Sequence, residues 1–286
     1  MNVADAKFEV ASAHVAILGE SPMWCVRTEA LYWVDLRGPT LFALDGSKWS
    51  LPELVGGIVL ADDGRLVLAM KSGLFFFDTR TATLTPHLAC EAPELDNRMN
   101  EAKCDRAGRL WVGTMRDFGA ARTGSLYRVT AGAASRVLRD ITMPNGQCWS
   151  PDDRTFYFAD TVEGRIRAYD CKDGELGKLR TLAEVGALPG RPDGATVDVD
   201  GCVWSARYGG GGIARLDPSG RVDRFLRLPV SQVSSVMFGG RDLRTLFVTT
   251  SRQRMSDEAL VREPLAGSLV AIDVGVGGLA EPYYRP

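Results

Sequence analysis

Histidine is scarce in this chain. His14 and His87 are the only two among 286 residues, which removes most zinc sites and most histidine-dependent triads. The six cysteines, at 25, 90, 104, 148, 171 and 202, include no C-x-x-C pair and read as reduced, mostly buried thiols. No apolar run approaches the ~20 residues that a membrane-spanning helix needs. The opening MNVADAKFEV has neither the basic nor the apolar segment of a secretory signal. An excess of one charge is missing too: 34 basic and 36 acidic residues leave a formal net charge of -2, which asks for neither nucleic acid nor an anionic membrane as partner. A cytoplasmic protein with neither partner is the expectation, and the oligomeric state is not legible.

Long helical periodicity is also absent, and short β-prone runs separated by Gly, Pro, Asn and Asp take its place. One run recurs six times: LYWVD from Leu31, LVLAM from Leu66, LWVGT from Leu110, FYFAD from Phe156, VWSAR from Val203 and LFVTT from Leu246. The intervals run from 35 to 47 residues with a mean of 43. A tight polar turn precedes most copies, and a further β run such as LFALD, LFFFD or IRAYD follows. A hairpin of this kind cannot bury both faces alone, and stacking the copies around an axis solves that problem. The expected fold is therefore all-β: a six-bladed β-propeller of four-stranded antiparallel blades around a central channel, in a single domain spanning residues 1–286. Residues 8–18 and the segment after Ser268 are expected to complete one blade and close the ring, leaving few strand edges.

The repeat also predicts a site. The segment before each turn is expected to be the innermost strand, with its start ten to twelve residues ahead of the recurring run. Those positions hold Glu20 in the first copy, Arg98 and Asn100 in the third, Asn145 in the fourth and Asp193 in the fifth. The second copy has Gly56, and the sixth has Ser234 and Ser235. Rigid turns flank them: Ser21-Pro22, Pro144-Asn145-Gly146 and Pro192-Asp193-Gly194. Each residue alone could be a turn former that caps its own backbone. Glu20, Asn145 and Asp193 at matching register instead suggest three oxygen ligands for one divalent cation, with calcium, magnesium, manganese, zinc and iron(II) all compatible.

At these residues the sequence resembles the regucalcin (senescence marker protein) and gluconolactonase family. The matching stretches are GESPMW at Gly19, NRMNEAKCDRAGRLWVGTM at Asn97, MPNGQCWSPDDRTFYFADT at Met143 and RPDGATVDVDG at Arg191. Within that family the likeness points to bacterial lactonases of sugar acids. The resemblance implies a propeller with one divalent metal held by Glu20, Asn145 and Asp193, with Arg98 and Asn100 holding the substrate. Asp193 would also be the general base. Where relatives often show Asn-Asp-Gly-Lys, this chain has Asn100-Glu101-Ala102-Lys103, which makes Glu101 a candidate for setting the identity of the sugar.

Hydrolysing a lactone, a cyclic ester, needs carbonyl polarisation and an activated water, for which Asp193 is either the base or the orienting group. Arg116 and Arg207 lie six and four residues after the start of their recurring runs, back at the same mouth. With Arg98 they are candidates for binding an anionic tail on a phosphorylated or sulfonated lactone, or else they pair with carboxylates such as Asp117, Asp160 or Glu163. A broader lactonase or organophosphate hydrolase, and a non-enzymatic metal-binding or interaction propeller, are the rival readings. Asp198-Val-Asp200-Gly201 is read as a hairpin turn and not as a calcium loop. The G-x-G-x-x-A match from Gly275 cannot open a βαβ unit so near the end of the sequence.

Overall fold

The computed structural model describes residues 2–92, 96–119, 121–184 and 186–286. Its strands form six sheets, each built on four antiparallel strands and arranged as a β-propeller, the fold that the repeat predicts. The inner strand of each blade stands at one edge of its sheet: Gly19–Cys25, Val55–Leu60, Asn97–Cys104, Pro144–Trp149, Arg191–Val197 and Val233–Gly239. The recurring runs form the second strands: Ala30–Asp35, Leu66–Met70, Leu110–Arg116, Thr155–Asp160, Val203–Tyr208 and Thr245–Thr250. Blades are numbered one to six in this order.

Inner strands pack one on the next around the axis, and the sixth meets the first. They are buried almost throughout, so the polar groups they carry must be satisfied by neighbouring blades. Ser21 Oγ accepts the Ile58 N–H at 2.8 Å, Glu101 Oε2 accepts that of Gln147 at 2.8 Å, and Ser234 Oγ donates to the Gly19 carbonyl at 2.6 Å. The last of these ties the sixth blade to the first. Between blades, aromatic residues of the second strands fill the wedges: Trp33, Trp111 and Trp204 are fully buried. Trp111 Nε1 and Trp204 Nε1 donate to Asp105 and Asp198 at 2.9 and 2.8 Å. Each of these aspartates also accepts the amides of its own turn, so Asp198 is a turn residue as expected.

The N-terminal strand Phe8–Val15 pairs antiparallel with Ser268–Asp273 and completes the sixth blade. Two features lie outside the sequence expectation. Strand Asn2–Asp5 adds in parallel to Val222–Arg227 as a fifth strand of the fifth blade. The segment after Asp273 runs across the end of the channel where the inner hairpins turn: Val199 N–H meets Gly277 O, Gly278 N–H meets Leu243 O, Tyr284 N–H meets Leu60 O and Arg285 N–H meets Gly108 O. Tyr284, within this segment, is fully buried.

All six inner strands share an irregularity. Their pairing with the second strand slips between Glu20 and Met23, Val55 and Gly57, Met99 and Ala102, Asn145 and Cys148, Pro192 and Ala195, and Val233 and Ser235. A bulge leaves one residue unpaired and re-aims the side chains beside it. Here it recurs at one height around the channel, at the register where the candidate residues stand. Close approach of neighbouring blades at this level explains two glycines. A Cβ on Gly194 would meet Ser235 Oγ at 2.1 Å, and one on Gly56 would meet the Met99 carbonyl at 2.6 Å.

Candidate active site

A cavity of about 400 Å³ opens at the bulged end of the channel. Its lining includes Glu20, Arg98, Asn100, Asn145 and Asp193, contributed by four blades. Asn145 sits on the fourth blade's inner strand, and its amide is oriented by a chain of partners. The Thr161 hydroxyl donates to the Pro192 carbonyl at 2.7 Å, so its oxygen accepts from Asn145 Nδ2 at 2.8 Å. Asn145 Oδ1 is thereby turned the other way, where it accepts from Asn100 Nδ2 at 3.0 Å. Asn100 Nδ2 also donates to the Pro144 carbonyl at 2.9 Å, and Asn100 Oδ1 accepts from Arg98 at 2.7 Å. Both amide hydrogens of Asn100 are thus engaged. In this arrangement Asn100 positions Asn145 and Arg98 as much as it faces a ligand.

Arg98 is buried yet charged. Its Nε donates to Asp117 Oδ1 at 2.6 Å and its Nη1 to the Met99 carbonyl and Asn100. Burial depresses its pKa, and the Asp117 carboxylate opposes that shift. Burial would raise Asp117 in turn, but hydrogen bonds from Arg37 and Arg98 hold it below the ordinary carboxylate range. Nη2 of Arg98 has no hydrogen-bond partner among the described residues, which leaves it free to donate into the cavity.

Glu20 and Asp193 face a different environment. Burial drives the Glu20 carboxyl well above the usual range, and the charges of Asp193 and Glu101 add to the effect. Asp193 is raised by burial and by Glu101, with the Gly194 amide and Arg207 pulling the other way. A part-buried and a buried carboxylate, Glu20 and Asp193, that disfavour one another's charge, set beside an oriented amide oxygen, make a hard oxygen donor set whose repulsion a divalent cation relieves. Among the described residues no cluster of three or more His, Cys, Asp or Glu side chains is placed to hold a metal. The expected set has only two carboxylates, its third donor being an amide.

Three expected substrate contacts stand outside the cavity lining. Glu101 points into the channel toward the fourth blade, where Oε2 takes the Gln147 amide and Oε1 is buried without a hydrogen-bond partner; burial pushes its pKa up to about 7. Arg116 is exposed while its neighbours Met115 and Asp117 line the cavity, because successive strand residues face opposite ways. Arg207 is buried and fastens the backbone, its Nε and Nη2 donating to the carbonyls of Pro189 and Gly190 at 3.0 and 2.8 Å. Asp35 and Asp160 do the same work at the equivalent position with opposite polarity. They accept amides of Ile17 and Leu18, and of Thr142 and Met143, ahead of their own inner strands. The pairing of Arg207 with a nearby carboxylate, the other reading of that residue, is not what holds it.

The lining also contains residues that the repeat did not single out: Arg37, Asp117, Thr161, Arg191, Tyr208 and Arg254. Most lie five to eight residues after the start of a recurring run. That offset was legible for Arg116 but does not say which side chain turns inward.

Residues 18–252 match the family described as the SMP-30/Gluconolactonase/LRE-like region. The chain is 37% identical over 278 residues to 6-deoxy-6-sulfogluconolactonase of Pseudomonas putida, covering 94% of this chain and 95% of that protein. It is 34% identical over 275 residues to L-arabinolactonase of Azospirillum brasilense, covering 92% and 90%. Among solved structures it is similar to a calcium-binding protein, regucalcin, from Agrobacterium tumefaciens, with a TM-score of 0.96, 29% identity and full coverage of both chains. By the extent of the family match and of these likenesses, the chain belongs to the SMP-30/gluconolactonase family.

Proposed function

We propose that this protein hydrolyses the lactone of an aldonic acid to the open-chain acid, with the cavity at the bulged mouth as its active site. The observation that carries the reading is the convergence of Glu20, Asn145, Asp193 and Arg98 on one cavity of about 400 Å³, a size suited to a single sugar. The names of the relatives from Pseudomonas putida and Azospirillum brasilense, both lactonases of sugar acids, support it.

Glu20, Asn145 and Asp193 would hold one divalent cation, which when bound supplies Lewis-acid polarisation of the lactone carbonyl. Asp193 accepts the proton of the attacking water. Arg98 presents Nη2 to the ring oxygens while Asp117 and Asn100 fix its plane. Thr161 keeps Asn145 Oδ1 directed inward.

The test is proton release from neutral pentono- and hexonolactones, corrected for spontaneous opening, with metal-stripped and metal-restored protein. Turnover that returns with a divalent cation is expected. Cation binding without turnover of any lactone would favour the non-enzymatic reading.

A further inference from the structure

Four arginines line the cavity, against three carboxylates: Arg37, Arg98, Arg191 and Arg254 face Glu20, Asp117 and Asp193. Two of the four are already committed. Arg98 and Arg37 take the two oxygens of Asp117 at 2.6 and 2.8 Å, and Arg37 Nε also donates to Gln253 Oε1 at 2.6 Å. Glu20 and Asp193 are the carboxylates of the proposed cation site. No counter-charge is therefore left in the lining for Arg191 and Arg254. Both are exposed, and neither makes an ion pair or a side-chain hydrogen bond among the described residues.

Their placement is not that of loose surface side chains. Arg191 opens the inner strand that carries Asp193. Arg254 follows the second strand of the sixth blade, beside the fifth, and its guanidinium lies 5.8 Å from the ring centre of Phe118. The same ring holds Arg37 at 4.8 Å. Phe118, 61% exposed, thus reaches from the third blade over the mouth and touches groups of the first and sixth. It holds Arg254 by a cation–π contact that leaves the edge of the guanidinium open to a ligand. Arg254 also adopts a left-handed backbone (φ 59°), a conformation that costs a non-glycine residue free energy.

We propose that Arg191 and Arg254 bind an anionic group at the end of the sugar remote from the lactone carbonyl, so that the preferred substrate is a sulfonated or phosphorylated aldonolactone. This rests on the lactonase reading above and names its substrate class. The positive excess also draws such an anion into the cavity from a distance, an effect that salt weakens. Sulfonate and phosphate ester share three acceptor oxygens, which suit two guanidinium groups.

The experiment compares kcat/KM for gluconolactone, its 6-deoxy-6-sulfonate and its 6-phosphate, using the wild-type protein, Arg191→Gln, Arg254→Gln and the double variant. The wild type is expected to prefer at least one anionic lactone by roughly ten-fold or more, about the effect of one charged hydrogen bond. In the double variant the loss should fall on the anionic lactones at least about ten-fold more than on the neutral one, and mainly through KM. Added salt should erode the anionic rate selectively. Equal rates for neutral and anionic lactones in the wild type overturn the inference while leaving the lactonase reading intact. An equal loss on all three lactones in the double variant also overturns it, because it marks the arginines as structural. Absence of turnover with every lactone overturns the hydrolase reading and this inference together.

Discussion

The two ends of the channel are made by the same six inner strands, yet one holds a cavity of about 400 Å³ and the other a space of about 20 Å³. At the wide end the strands are bulged, and Glu20, Asn145 and Asp193 converge without filling the centre. At the narrow end the strands pair regularly into tight turns whose aspartates, Asp105 and Asp198, accept their own turn amides at Oδ1 and tryptophan and arginine donors at Oδ2. The C-terminal segment then crosses those turns and brings Glu281 to 3.7 Å from Lys103. The difference teaches where the fold keeps stability apart from chemistry. The turn carboxylates Asp105 and Asp198 at the closed end are satisfied within the protein, although Lys103 Nζ and Trp149 Nε1 behind them are buried without a hydrogen-bond partner. Arg191 and Arg254 at the open end, by contrast, are exposed and keep unused capacity for a ligand.

The sharpest break between the ends is Asp193→Asn, which removes both an anionic ligand and the proposed base. Loss of kcat/KM by about 10³-fold is expected, with weaker cation binding by calorimetry; retained activity would contradict the site. Tyr284→Ala acts at the other end. Deleting a fully buried aromatic side chain should lower stability by about 3 kcal/mol in denaturant unfolding, with kcat/KM nearly unchanged while the protein stays folded. A comparable loss of activity in that variant would show that the two ends are coupled.

Between them, Glu101 makes stability depend on pH. Its carboxyl stays protonated in the folded state up to about pH 7, higher than in the unfolded chain. The resulting stabilisation is complete below about pH 4.5 and is lost as pH rises through about 7, an effect of up to about 3 kcal/mol. Glu20 and Asp193, raised in the same direction, add to the slope in metal-free protein. Glu101→Gln should flatten the decline between pH 5 and pH 8 in chemical denaturation; an unchanged slope would place the titration elsewhere. The smallest effect is expected from Arg207→Gln. Loosening the backbone at residues 189 and 190 should lower kcat/KM by about ten-fold for neutral and anionic lactones alike. A loss confined to anionic lactones would restore Arg207 as a substrate contact.

Much of this was legible in the residues. The recurrence of LYWVD, LWVGT and FYFAD at blade-length intervals marks six second strands, and counting back from them reaches Glu20, Asn100, Asn145 and Asp193, all of which line the cavity. The positions after each recurring run were less legible. Arg116 shares a register with the lining residue Arg37, and Arg207 stands one residue ahead of the lining position held by Thr161 and Tyr208, but one turns to solvent and the other is taken up by two carbonyls. Asp117, Thr161 and Arg254 carry no signature, because each acts through a partner from another strand or blade: Arg98, Asn145 and Phe118.

By itself the sequence determined the repeat, the identity of the inner strands and the end of the channel that carries the carboxylates. These follow from a local period that every copy repeats, and a two-residue side-chain alternation leaves little freedom once the strands are placed. Only the tertiary structure decided which arginines are free, which way the Asn145 amide turns and what closes the far end. Those outcomes depend on contacts between segments as distant as Arg37 and Asp117, or Leu60 and Tyr284. Such pairings exist only after the ring has closed, so no stretch of the chain specifies them alone.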